Sequence, residues 1–195
     1  MRQAQARGEL PKFNFVELNG MKFKRPMQAY SQLWAALREE RKPPAKALEL
    51  LNRHFRTKQP KRESVVLLVD EMDYMRTAKN AVLYNLFDWP SWQHSRLVVV
   101  GIANTMNLPD TCLPAKVRTR IAQRVSFASY TRDQVAEIVR KRLGEVEAFR
   151  QDAVTMAAAK VAATSGDMRR ALQICTQAVA ICMARAEAEQ RQDAA

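Results

Sequence analysis

Apolar positions follow two spacings along the first 143 residues and a single one afterwards. Val65-Val66-Leu67-Leu68-Val69 is an unbroken apolar run with three β-branched members. It predicts a strand buried on both faces of a parallel sheet. Leu97 to Ala103 (LVVVGIA) predicts a second such strand, delivering Asn104 at its carboxyl end. Phe13 to Leu18 and Arg124 to Tyr130 read as further strands, the former ended by the turn pair Asn19-Gly20. Between the strands the period changes to that of a helix. Met27, Tyr30, Leu33, Trp34 and Leu37 form one apolar stripe, with Pro26 in its first turn. Ala47, Leu48, Leu50, Leu51 and Phe55 form another, and Ala81 to Phe87 a third, closed by Trp89-Pro90. Leu108 to Arg120 reads as a loop with a short helix. Thr131 and Gln134 make a capping box ahead of Val135, Ile138, Val139 and Leu143.

From Gln151 onward strand signals stop, and Ala-rich helical patterns run on with one break at Ser165-Gly166. The tail beyond Met183 is charged and is expected to fray. The order predicts an α/β nucleotide-binding domain over 1–143 and an α-helical domain with a polar tail over 144–195.

Charge adds a partner to this picture. The net charge is +12. Residues 1–62 hold 15 Lys/Arg against 5 Asp/Glu, whereas the remainder holds 17 against 15. A basic first third beside a nearly neutral rest points to a polyanion, DNA first, or to a surface that is merely basic. Cys112, Cys175 and Cys182 are odd in number with no C-x-x-C spacing, which reads as free thiols in a reducing compartment. His54 and His94 read as surface residues. No run approaches the length of a membrane span.

The chemistry concentrates after the first buried run. Asp70 and Glu71 follow it directly, at the sheet edge where ligands bind in open α/β folds. Asp70 is placed to hold Mg²⁺ and Glu71 to orient or deprotonate a water. The plain alternative is a buried strand running into an acidic turn. Asn104 is either a phosphate or water ligand or a simple turn residue.

Four segments carry a family resemblance: VVLLVDEMD, YNLFDWP (Tyr84–Pro90), GIANTMNLP (Gly101–Pro109) and SGDMRRAL (Ser165–Leu172). In this order, with VELNGM (Val16–Met21) upstream, they resemble the AAA+ ATPase core of the largest-subunit (subunit 1) class of the eukaryotic origin recognition complex. The resemblance runs from about Phe13 to about Met183. It implies a P-loop-type parallel sheet followed by an α-helical lid, with ATP and Mg²⁺ as cofactors. It also implies double-stranded DNA, sister subunits of the complex and the related loader ATPase as partners, and a nuclear location. By position, Asp70 and Glu71 are implied as Walker B, Asn104 as sensor 1 and Arg169 as sensor 2. Arg120 is implied as an arginine acting in trans, although Ala122 departs from the family's glycine there. Lys22, Lys24 and Arg25 fall in the insertion implied to touch DNA phosphates.

One expected element is absent. The sequence contains no G-x-x-x-x-G-K-[ST] and only 5 glycines. The family's P-loop and first strand lie upstream of VELNGM, so the expectation is a fragment that starts just short of them, feeble in ATP binding and inactive alone. The unpaired strand edges beside Val98–Ile102 and Val125–Ala128 are then expected to be exposed. A clamp-loader-type ATPase and a nucleotide-free AAA+ scaffold are the competing readings.

Overall fold

The computed structural model describes residues 2–9, 11–104, 110, 111, 113, 115–119, 121–143, 149–164 and 166–193. Arg120, Ser165, Cys112 and the segment 105–109 lie outside the described residues. The chain forms two compact units, residues 1–125 and 126–195.

The first unit is built on three parallel strands, β1 (Phe13–Asn19), β2 (Ser64–Asp70) and β3 (Leu97–Gly101), in the order β1-β2-β3. The register sets Asn19 opposite Asp70 and Val69 opposite Gly101, so the carboxyl ends of all three strands share one edge. A short α1 (Arg2–Ala6) precedes them, tied to β1 where Gln5 Nε2 donates to the Phe13 carbonyl (3.4 Å).

Helices α2 (Gln28–Arg38), α3 (Pro44–Arg56) and α4 (Ala81–Asp88) bury their apolar stripes with one face of the sheet. Proline at the first position of α3 costs nothing there, since that N–H has no helical partner. α2 ends at Glu39, whose left-handed backbone (φ +56) lets its N–H reach the Ala35 carbonyl at 2.8 Å. Pro26 stands two residues ahead of α2 rather than in its first turn, opening a turn in which the Ala29 N–H donates to the Pro26 carbonyl at 3.0 Å. Tyr30, Phe55 and Trp89 form the aromatic centre of the core, and the Trp89 indole N–H donates to Asn52 Oδ1 at 2.8 Å. Burying an indole requires such a partner.

Three expectations need correction. First, β3 is not buried on both faces. Leu97 is buried, but Val98, Val100 and Ile102 are exposed, because no described element covers that face at the sheet edge. Second, Arg124 to Tyr130 is not a strand. Its backbone pairs with no described strand, and Phe127 stands 90% exposed. The exposed edge expected beside Val98–Ile102 is found, since β3 is an edge strand; Val125–Ala128 is exposed but, not being a strand, has no edge to leave unpaired. Third, His54 is buried, on the same face of α3 as Ala47, Leu51 and Phe55.

The second unit comprises α6 (Arg132–Leu143), α7 (Gln151–Thr164) and α8 (Met168–Asp193); a one-turn α5 (Ala115–Arg118) belongs to the first unit. Val135, Val139, Val154, Ala158, Val161, Ala171 and Cys175 make a separate core. The capping box forms as read: Thr131 N–H donates to Gln134 Oε1 (3.0 Å), and Gln134 N–H to Thr131 Oγ1 (3.4 Å). Gly166 terminates α7 with φ +61, and a Cβ there would lie 2.7 Å from that of Ser129. The tail departs from the expected fraying. α8 is continuous to Asp193, because Ala, Glu, Gln and Arg are strong helix formers and no Gly or Pro interrupts them.

Candidate functional site at the carboxyl end of the sheet

β2 ends on Asp70, which is half-buried and accepts the Glu71 N–H on Oδ1 at 2.9 Å. That bond holds the next residue in a left-handed conformation, φ +52 at Glu71. A non-glycine residue there marks a turn dictated by its surroundings. The chain then closes a 3₁₀ turn, Met72–Met75, with Tyr74 N–H donating to the Glu71 carbonyl at 3.1 Å.

Gly20 is the surrounding that matters most. It is buried, and a Cβ on it would lie 2.2 Å from the Glu71 carbonyl oxygen. Only a residue without a side chain lets the turn after β1 pass this close to the turn after β2. The turn carrying Lys22 therefore rests on the turn carrying Glu71. Asn19 completes it by accepting the Met21 N–H on Oδ1 at 2.9 Å.

β3 brings in the third group. The ladder continues past its end, with Ile102 N–H to the Val69 carbonyl (2.8 Å) and Met72 N–H to the Ile102 carbonyl (3.0 Å). Two residues on, the Asn104 N–H donates to Asp73 Oδ2 at 2.7 Å. Asp73 thus ties the end of β3 to the acidic turn, a role the sequence reading did not give it. Its signal was its place three residues after Asp70. Gly20 was read only as a turn residue, since close approach between distant segments leaves no local trace.

Asp70, Glu71 and Asn104 are therefore brought to one edge. Lys22, Lys24 and Arg25 are exposed beyond the end of β1, on and after the turn that touches Glu71. Arg169 belongs to the helical unit, where its N–H donates to Asp167 Oδ1 (2.9 Å) and its exposed guanidinium lies 3.5 Å from the same oxygen.

The donor set fits a hydrated Mg²⁺. The second carboxylate oxygen of Asp70 has no hydrogen-bond partner among the described residues, and Glu71 stands beside it. Among those residues no three His, Cys, Asp or Glu side chains converge into a closed cage. Mg²⁺ keeps several waters and takes one or two carboxylates plus phosphate oxygens, so an open site suits it. Asp70 and Glu71 are the residues that would hold such an ion and its waters. The Gly- and Lys-bearing phosphate cradle is not in this sequence. Among the described residues no helix is long and apolar enough to cross a membrane.

The family model "ATPase family associated with various cellular activities (AAA)" matches residues 3–129. That for "Cdc6/ORC-like, ATPase lid domain" matches 130–188. Origin recognition complex subunit 1 of Schizosaccharomyces pombe is 46% identical over 182 residues, 91% of this chain and 26% of that protein. The human subunit 1 is 43% identical over 183 residues, 93% of this chain and 21% of that protein. The chain thus spans about a quarter of the curated relatives' length. Among solved structures, Drosophila ORC bound to DNA contains a chain 42% identical to this one with a TM-score of 0.85. The match covers 95% of this chain and 45% of that one.

Proposed function

The chain belongs to the AAA family of ATPases, and from that we propose that it serves as the ATP-binding core and lid of a nuclear, subunit 1-like replication initiator that works on double-stranded DNA with sister subunits and a related loader ATPase. The observation that carries this reading is the convergence of Asp70, Glu71 and Asn104 on one sheet edge, locked by the bond from Asn104 N–H to Asp73 Oδ2.

Bound ATP with Mg²⁺ would supply the phosphoanhydride bond and the cation that offsets its charge. Asp70 would hold the metal through its uncommitted oxygen. Glu71 orients a water and accepts its proton, and the Asn104 side-chain amide donates to the water or to a phosphate oxygen. Arg169 brings positive charge from the lid, and Arg120 offers a guanidinium to a neighbouring subunit's site. Lys22, Lys24 and Arg25 bind backbone phosphates, which positions the duplex without reading its sequence.

The test uses the chain within its assembled complex, as part of a subunit carrying the phosphate cradle. Glu71→Gln should retain ATP binding and slow hydrolysis by roughly 10²–10⁴-fold, the usual span for loss of a positioned base. In the same assembly, joint replacement of Lys22, Lys24 and Arg25 by Ala should weaken duplex binding and flatten its salt dependence. Wild-type hydrolysis in Glu71→Gln would reject the site.

A further inference from the structure

At the amino-terminal ends of β1 and β2 lies a pocket of about 680 Å³. Six residue steps along β2 separate this edge from Asp70, about 20 Å at the usual strand rise. Its floor and walls include Leu37, Val65 and Pro60, and its rim carries Arg38, Lys58 and Lys61. Arg62 and Glu63 also line it. None of the four cations pairs with a carboxylate among the described residues. Glu63 is the one carboxylate in the lining against these four cations, and Arg96 adds a further positive charge through its bond to the Arg62 carbonyl (2.8 Å).

The pocket is preformed. The Arg62 guanidinium donates to the carbonyls of His54, His94 and Ser95, which pins the 57–63 connection against α3 and the segment before β3. His54 lines the cavity and is only 8% exposed. Arg38 Nη2 lies 3.2 Å from its Nδ1. Arginine only donates, so Nδ1 accepts and the ring proton sits on Nε2. That buried Nε2 has no acceptor among the described residues. A buried donor without a partner is costly.

We propose that this pocket binds a short acidic segment of a partner protein, with carboxylates on Arg38, Lys58 and Lys61 and an apolar side chain between them against Leu37 and Pro60. A cavity of this size takes an extended stretch of a few residues. A duplex about 20 Å across cannot enter it, and its backbone phosphates favour an open groove. The apolar wall has no use for a bare phosphate but suits an aliphatic residue flanked by acids. Burial, then Arg62 and Arg38, push the His54 pKa down to about 4, so the ring is neutral and the positive charge belongs to the Arg and Lys groups. This inference is independent of the nucleotide site.

The test is fluorescence anisotropy with the full chain, monitored on its monomeric fraction, and a labelled six-residue peptide alternating Asp and Leu. Saturable binding is expected, weakened at least tenfold by joint Lys58→Ala and Lys61→Ala, and again by Arg38→Gln. Lys22→Ala with Lys24→Ala should leave it unchanged, and replacing each peptide Leu by Ser should weaken it. The rim lysines are exposed, so their removal should leave the helical circular dichroism intact. Absence of saturable binding, or equal binding by the Lys58/Lys61 variant, would overturn the proposal. Equally effective displacement by single-stranded oligonucleotide at matched charge would assign the pocket to nucleic acid and overturn it too.

Discussion

The two ends of the sheet assemble their polar groups differently. At the carboxyl end Asp70, Glu71 and Asp73 come from one turn, all half-buried, joined by Asn19-Gly20 and Asn104 from the neighbouring strand ends. At the amino end Arg38, His54, Arg62 and Ser95 come from α2, α3, a connection and the approach to β3, and His54 and Ser95 are buried. Chemistry of the first kind is fixed by local backbone and needs only the strands in register. Chemistry of the second kind exists only once the core has packed, so its stability is tied to that of the fold.

The largest expected effect tests that tie at the amino end. The folded-state pKa of His54 is depressed to about 4 from an ordinary 6.5. A group held neutral in the folded state contributes stability above its unfolded pKa, and that contribution falls away as pH drops from about 6.5 toward 4. The loss is at most about 3 kcal/mol. In denaturant titrations the wild type should therefore lose stability relative to His54→Phe between pH 7 and 4.5. Exposed carboxylates lose their contributions equally in both proteins and cancel. Parallel profiles would show that the buried ring does not link the amino end to the fold.

A middle-sized effect belongs to the carboxyl end. Gly20→Ala places a Cβ against the Glu71 carbonyl, a contact of 2.2 Å with backbone rather than a movable side chain. One of the two turns must shift, at a cost of about 1–3 kcal/mol in urea denaturation. The Glu71 amide resonance should move as well, since that turn bears the load. A change under about 0.5 kcal/mol, the range of ordinary surface substitutions, would mean that the turns are not in contact.

The same contrast governs what could be read from the chain. Val65–Val69 was legible because β2 lies between two partners, so a continuous apolar run meant what it usually means. Asp70 and Glu71 were legible because they follow that run without a gap. Leu97 to Ala103 has an equally apolar pattern, yet Val98 and Val100 are exposed, because burial depends on neighbours and not on the run itself. Arg124 to Tyr130 fails as a strand for that reason. His54 was misread by its polarity, although it stands three residues after Leu51 and one before Phe55, on the buried stripe of α3. The pocket it lines joins residues from 14 to 65 and left no contiguous motif to find.

The smallest expected effect concerns the tie between β3 and the acidic turn at the carboxyl end. Asp73→Asn removes the carboxylate that accepts the Asn104 N–H at 2.7 Å but keeps the side-chain shape. Bonds to a charged acceptor contribute more than neutral ones, and this one is exposed, so about 1 kcal/mol is at stake. Global stability should change little. Protection of the Asn104 amide against hydrogen exchange should fall about fivefold, the factor that about 1 kcal/mol represents, while Ile102, held by the Val69 carbonyl, stays protected. The split matters because Asn104 lies three residues beyond the end of β3. If both amides lose protection together, the register of β3 positions Asn104. If only Asn104 does, Asp73 is the positioning residue, and the acidic turn holds Asn104 in place.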